Sequence, residues 1–389
     1  MIPSKVPVTD HSSFDLERAA GNRREALAFN KRGLFIGGAP KSGTTLLMSL
    51  LDNHRQLVVL PEETSYLEDR PQYLALKNYQ AKLRRLLQKT GLQLLARGWR
   101  EPVLYCDSPD ARTYDNFDYD RFVALAQSFI NQPWINDSLL FSELVRAYGI
   151  VLGTGCQNCA RWVEKTPRTE SHLHALDELF PDAKLIQIVR DPRAVFASVK
   201  NRIMNQYGYH TKAHRLVRSW NRSAREIPRL LQDPFRFLVV RYEDLVRTPR
   251  KVLENVCRFG GFDFSENMLE PTRAGNGWEG NSAFHKTFSG ISTASLDQWK
   301  DTLTEQEIWW VEMHCRKGMK LANYSFQTSA HFSWSRWLQR LPGESLWGYL
   351  RGRRGSLCQR AGLLKECRYD IPSAVRKAIQ AVNYFPQLP

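Results

Sequence analysis

LFIGGAPKSGTTLL, residues 34–47, is the stretch that decides how this chain folds. A short apolar run, Leu34 to Ile36, meets Gly37 and Gly38. Pro40, Lys41, Ser42, Gly43, Thr44 and Thr45 follow, and then leucines at helical spacing, Leu46, Leu47, Leu50 and Leu51. That order predicts a strand, a tight loop and a helix. Glycines let backbone amides approach an anion closely. A helix N-terminus adds unpaired N–H groups and the positive end of a dipole. Lys41 contributes a full charge, and the neighbouring hydroxyls add donors. The loop is suited to a phosphate or a sulfate. It departs from the nucleotide triphosphate loop G-x-x-x-x-G-K-[ST], in which lysine directly follows the second glycine. Here Thr44 follows Gly43, and the lysine sits two residues earlier.

Further along, strands and helices alternate. Leu57–Leu60, Arg161–Glu164, Lys184–Val189 (KLIQIV) and Phe235–Val240 (FRFLVV) read as short strands. The last two are short, largely apolar runs, the pattern of strands buried on both faces. Helical patterns cover Tyr119–Asn131, Asp137–Tyr148, Thr169–Phe180, Pro192–Asn201, His210–Leu231, Pro249–Phe259 and Thr304–Leu321. Residues 73–98 also carry leucines at helical spacing, with Gly91 as a weak point. The pattern implies an α/β fold of three layers, a central parallel sheet flanked by helices. Ligands of such sheets bind at the carboxyl ends of strands. The Gly38–Thr45 loop and Arg190 both fall at carboxyl ends. Arg190 closes the KLIQIV strand, and Ser198 lies about two turns into the next helix. A guanidinium and a hydroxyl so placed can converge on one phosphate, which the planar arginine fork grips bidentately.

The chain has 389 residues, long enough for one domain of about 250–300 residues plus extensions. Three segments are expected: an N-terminal extension, 1–32; the main domain, 33–330; and a C-terminal extension, 331–389. The net charge of +15 favours an anionic partner: an anionic cofactor, an acidic polysaccharide, a membrane surface or nucleic acid. The last segment holds ten Lys and Arg against three Asp and Glu, interleaved with Trp334, Trp337 and Trp347. It reads as a helical extension, with peripheral membrane contact as the alternative. No signal-peptide core and no apolar run of membrane-spanning length occurs, so the expectation is a cytoplasmic chain. Seven cysteines, an odd number, are expected to be mainly reduced. Cys156 and Cys159 form a lone C-x-x-C with no second pair at zinc spacing, so a structural or incidental role is expected, with a metal or redox role as the alternative.

The run PKSGTT resembles the 5′-phosphosulfate loop of sulfotransferases, which use 3′-phosphoadenosine 5′-phosphosulfate (PAPS) as donor. The segment KLIQIVRDPRAVFASVKNR (184–202) resembles the family's R-D-P-R…S element. The resemblance implies that Lys41, Ser42, Gly43, Thr44 and Thr45 hold the donor's 5′ end. It implies that Arg190 and Ser198 hold its 3′-phosphate, with Arg193 and Lys200 as weaker candidates. It makes Lys41 the group that stabilises the leaving oxygen. Residues 61–64, PEET, follow a helix ending near LDNH (51–54), an order similar to that of the tyrosylprotein sulfotransferases and their bacterial relatives. There the second glutamate of the pair is the base, which carries over to Glu63. The count from His54 is one residue longer than in the animal enzymes, so Glu62 stays in contention. Lys165, in WVEKTPR (162–168), matches a family lysine facing the sulfuryl group, although Glu164 could pair with it instead. Lys286 and Ser292, in FHKTFSGIS (284–292), match a loop that closes the donor site. Tyr242 and Glu243, in RYEDL, read as structural or close to the adenine.

Sulfuryl transfer needs in-line positioning, stabilisation of the departing oxygen and removal of the acceptor proton. The sulfuryl group carries less negative charge than a γ-phosphate, so lysine and backbone amides are expected to suffice without metal. The expected acceptor is a hydroxyl of a carbohydrate, a lipid or another metabolite. Two other functions compete. An ATP-dependent small-molecule kinase needs a magnesium ligand, for which LIQIVRD offers only Asp191. A non-catalytic module would bind polyanions without turnover. Its nucleic-acid form finds no zinc-finger spacing or RNA-binding aromatic signature.

Overall fold

The structure is a computed structural model, and it describes residues 23–97, 114, 117–154, 159–203, 209–277 and 290–328. The chain enters through helix α1 (Arg23–Asn30) and strand β1 (Gly33–Gly38), and the glycine loop then leads into α2 (Thr44–Leu51). Strand β2 (Leu57–Val59) precedes a run of helices: α3 (Arg70–Leu74), α4 (Tyr79–Leu87), α5 (Thr90–Arg97), α6 (Tyr119–Ile130) and α7 (Asp137–Leu152). Strand β3 (Arg161–Lys165), a 3₁₀ turn (Thr169–His172) and α8 (Leu173–Leu179) lead to β4 (Lys184–Val189). Helices α9 (Pro192–Ile203) and α10 (Tyr209–Leu230) precede β5 (Phe237–Arg241), α11 (Tyr242–Arg247) and α12 (Pro249–Gly260). A small hairpin, β6 (Thr272–Arg273) and β7 (Asn276–Gly277), is followed by α13 (Gln298–Thr302) and α14 (Glu305–Leu321).

Strands β1 to β5 form one parallel sheet in the order β2-β3-β1-β4-β5. Parallel strands need crossovers, and the intervening helices cover both faces. Alternation along each strand sorts its side chains between the layers. Leu34, Ile36, Val163, Ile186 and Ile188 pack with Leu47, Leu50 and Leu51 of α2 and Leu253 and Val256 of α12. Phe35, Val58, Trp162 and Leu185 pack on the other face, with α4, α6 and α7. A further cluster joins α9, α10 and α14 around Phe196, Trp220 and Trp310. The expected three-layer α/β architecture with its central parallel sheet is the one observed.

Register aligns the functional ends. Ile36 lies opposite Lys165, and Gly38 opposite Ile188. Strands β3, β1 and β4 thus end together at one edge. Several elements differ from the sequence reading. Helix α1 lies inside the stretch read as an extension, yet Ala26 and Phe29 are buried and Trp162 Nε1 donates to the Phe29 carbonyl at 2.8 Å. The packed body therefore includes residues before 33. The stretch read as helical from 73 is divided among the end of α3, α4 and α5, and Gly91 sits inside α5. The Thr169–Phe180 helix opens with a 3₁₀ turn. Residues 331–389, Lys286 and Cys156 lie outside the described residues.

Candidate active site

The glycine loop begins where Gly38 turns to φ +140°, with its N–H donating to Glu170 Oε2 at 2.6 Å. Burial pushes the Glu170 carboxyl above its ordinary range. Lys41 takes a left-handed backbone, φ 68°, as does Gly43 at φ 99°. Gly43 occupies the N-cap position of α2 without a side-chain cap, so no side chain of this residue covers the first-turn N–H groups. Ser42 is fully buried, and its Oγ has no hydrogen-bond partner among the described residues. An orphaned hydroxyl beside an uncapped helix start fits an anion acceptor, and the residues present suit the phosphate end of a nucleotide.

Arg190 follows β4 and reaches this loop. Its Nη1 donates to the Lys41 carbonyl at 3.2 Å, and its Nη2 to the Ser295 carbonyl at 3.0 Å. Its guanidinium stands 4.2 Å from the centroid of the Tyr242 ring, and its Nε is buried without a partner among the described residues. The Tyr242 hydroxyl and Ser295 Oγ are 2.9 Å apart. The ring also packs on Gly43, where a Cβ would lie 2.3 Å from Tyr242 Cδ2. Loop, arginine, tyrosine and the Ser295 segment thus form one unit. Behind it, Trp220 Nε1 donates to the Arg190 carbonyl at 2.9 Å, and the Asp191 N–H donates to Glu243 Oε1 at 3.0 Å.

Other candidates nearby are engaged elsewhere. Arg193 makes buried ion pairs with Asp191 at 2.6 Å and Glu312 at 2.7 Å. Lys200 pairs with Glu307 at 2.8 Å. The Ser198 hydroxyl donates to the Val195 carbonyl at 2.8 Å. The Ser292 hydroxyl accepts from the Ala294 N–H at 3.2 Å.

The two glutamates of PEET separate. Glu62 is buried, accepts from the Tyr114 hydroxyl at 2.6 Å and pairs with Arg273 of β6. Burial raises its pKa, and Arg273 opposes the rise. Glu63 is 47% exposed and pairs at 2.5 Å with Lys165, which is 4% exposed. Gly91 makes this segment possible: a Cβ there would meet the Glu63 carbonyl at 2.5 Å. Alternation along β3 turns Lys165 to the α2 side of the sheet, with Val163. Glu164 turns the other way and accepts from Thr64 and Thr166 hydroxyls at 2.8 and 2.6 Å. Glu164 is therefore not the partner of Lys165. Arg161 also leaves the site: it starts β3, at the opposite edge, and donates to the Gly260 carbonyl. Arg168 pairs with Glu68 at 2.7 Å.

Residues 33–266, more than half the chain, match the model described as Sulfotransferase family. The chain belongs to the sulfotransferase family. It is 26% identical over 242 residues to a putative protein-tyrosine sulfotransferase of Caenorhabditis briggsae, a match covering 61% of this chain and 68% of that one. It is 30% identical over 190 residues to human carbohydrate sulfotransferase 2, covering 37% and 35%. Among solved structures, the sulfotransferase domain of the Synechococcus PCC 7002 olefin synthase is similar, with 26% identity and a TM-score of 0.51. That match covers 75% of this sulfotransferase and 94% of the domain. The chain spans only 55% and 39% of the length of the Danio rerio and Drosophila melanogaster protein-tyrosine sulfotransferases that it also matches.

Sequence reasoning missed Ser295, Arg273 and Tyr114, and it read Gly91 only as a weak point in a helical pattern. Tyr242 was singled out, but its packing on Gly43 was not. Gly91 alone left a local signal, a glycine amid a leucine pattern. Among the described residues, no group of His, Cys, Asp and Glu has the makings of a metal site, and no helix is long and apolar enough to cross a membrane. Cys159, Cys257 and Cys315 are free and buried.

Proposed function

We propose that this sulfotransferase moves a sulfuryl group from PAPS to an acceptor hydroxyl by direct in-line transfer. The observation that carries this is the meeting of two anion grips at one sheet edge. The uncapped start of α2, with its orphaned Ser42 hydroxyl, lies one hydrogen bond from the Arg190 guanidinium. Lys41, Ser42, Gly43, Thr44 and Thr45 hold the 5′ end of the donor. Arg190 and Ser198 take the 3′-phosphate, and Lys286 closes the donor loop. Binding there replaces the carbonyls that Arg190 now contacts with phosphate oxygens, a stronger, charge-assisted match. Lys41 stabilises the oxygen that leaves.

Glu63 removes the acceptor proton, since it is the exposed carboxylate of the pair while Glu62 is locked to Arg273. Lys165 faces the sulfuryl group from the α2 side of the sheet. Transfer requires their ion pair to open, which frees the carboxylate for the acceptor and the ammonium for the sulfuryl oxygens. The acceptor is a hydroxyl of a carbohydrate, lipid or other metabolite. The named activities of the relatives, on protein tyrosine and on carbohydrate, are consistent with a hydroxyl acceptor. A kinase reading finds no support: Asp191 is committed to Arg193.

Titration with 3′-phosphoadenosine 5′-phosphate (PAP), followed by transfer of labelled sulfate from PAPS to a panel of hydroxyl acceptors, tests the proposal. PAP is expected to bind and label to transfer. Lack of PAP binding by folded protein, or displacement of PAP by ATP with magnesium, overturns it.

A further inference from the structure

Helix α10 carries arginine at 215, 218, 222, 225 and 229, in steps of three and four residues. That spacing keeps all five on one face, over about 21 Å at the rise of an α-helix. The opposite face is core: Ala213, Val217, Trp220, Ala224, Ile227 and Leu230 are buried. Glu226 is the helix's one acidic residue. Arg229 has Asp177 at 3.5 Å, and Arg225 Nε donates to the Asn221 carbonyl. Among the described residues, Arg215, Arg218 and Arg222 have no carboxylate at ion-pair distance. Burial, and then the charges of Arg215 and Arg222, hold the Arg218 guanidinium below its usual range. A solvated helix face ordinarily mixes signs, because like charges three and four residues apart destabilise it.

The stripe leads to the catalytic edge. Gln187 Nε2, midway along β4, donates to the Ser223 carbonyl at 2.7 Å, while Trp220 meets the Arg190 carbonyl at the strand's end. Helix α10 therefore runs antiparallel to β4, and Arg218 and Arg215 continue past the level of Arg190. The Arg222 charge also acts on His172, in the 3₁₀ turn that follows Lys165. A partner lying along the stripe therefore runs toward that end of the sheet.

Resting on the reading of that site as a sulfuryl-transfer centre, we propose that the α10 arginine face docks a polyanionic glycan and feeds its hydroxyls to the catalytic edge. Arginine forks grip carboxylates and sulfates bidentately. Cations at a near-constant interval match a chain whose anions repeat at a constant interval, and such a glycan carries hydroxyls on every unit. A bilayer is the poorer match: membrane-surface helices insert an apolar face, and that of α10 is spent on the core.

The test compares the parent with the combined Arg215→Gln, Arg218→Gln and Arg222→Gln variant, all on the solvent side of the helix. Each is titrated with an unsulfated polyuronate oligosaccharide, with polyglutamate of equal charge and with phosphatidylserine vesicles, at several salt concentrations. PAP is titrated in parallel. The expected result is polyuronate binding at least about tenfold weaker in the variant, with a shallower salt dependence, and unchanged PAP affinity. Equal polyuronate binding by both proteins overturns the proposal. So does tighter arginine-dependent binding of polyglutamate or vesicles than of polyuronate. Failure of PAP to bind either protein strikes the donor-site reading instead, and the polyuronate comparison still decides the docking face.

Discussion

Gly43→Ala probes whether the loop and Tyr242 behave as one unit. The native φ of 99° lies in the left-handed region, which costs an L-residue roughly 1–2 kcal/mol. The added methyl would also stand 2.3 Å from Tyr242 Cδ2 and 2.8 Å from Cε2. Overpacking of that kind costs about 1–3 kcal/mol. Together the penalty is roughly 2–5 kcal/mol, relieved only if the ring or the loop moves. Either movement disturbs the Arg190 guanidinium, which stands 4.2 Å from the ring centroid. PAP affinity measured by calorimetry should fall at least about tenfold, equivalent to ~1.4 kcal/mol. The melting temperature should fall by several degrees, at roughly 2–4 °C per kcal/mol. Adding Tyr242→Ala removes the clash but leaves the backbone cost, so Gly43→Ala should reduce PAP affinity less in the Tyr242→Ala background than in the parent. A Gly43→Ala protein that binds PAP within about twofold of the parent and melts within about a degree of it would refute the reasoning.

Three further outcomes are expected. Glu63→Gln should lower turnover with PAP affinity intact, whereas Glu62→Gln strands Arg273 and should lower the melting temperature instead; full activity of Glu63→Gln in a transfer assay rejects the base assignment. Arg190→Lys cannot reproduce the fork to the Lys41 and Ser295 carbonyls and should weaken PAP binding by more than about tenfold, so unaltered binding by calorimetry counts against the 3′-phosphate role. Burial holds Glu62, Glu164 and Glu170 above the ordinary carboxylate value of 4.5, so just above that pH the folded protein binds more protons than the unfolded chain. Their contribution to stability falls as pH rises above that value, while His54 and His172, which burial holds below the ordinary imidazole value of 6.5, act in the opposite direction as pH drops below 6.5. Glu164→Gln, which keeps its threonine donors on the amide oxygen, removes one of these carboxyls, so the melting temperature of the parent relative to the variant should rise as pH drops toward 4.5; a difference that stays flat or falls contradicts it.

The strands were legible because KLIQIV and the residues around Phe35 are short, mainly apolar runs, as burial on both faces requires; the polar exception, Gln187, is buried with its amide donating to Ser223. The loop was legible because its glycines, lysine and hydroxyls are contiguous. Ser295 was not: it meets Arg190 across more than a hundred residues, and no local pattern records such a contact. The pairing of Glu62 with Arg273 is equally remote in sequence. It separates two adjacent carboxylates that look equivalent in PEET. Helix α11 was missed because its six residues are too few to show a period. Helix α1 was missed as part of the body because its two buried side chains sit amid charged residues.

Ser42 carries a consequence for anyone handling the protein without nucleotide. An unmet buried hydroxyl is destabilising by about 1–3 kcal/mol until something bonds to it. Directed evolution for heat resistance in nucleotide-free buffer should therefore drift to alanine at this position, yielding sturdier molecules with a poorer grip on their donor. The same selection run with nucleotide present should keep the serine.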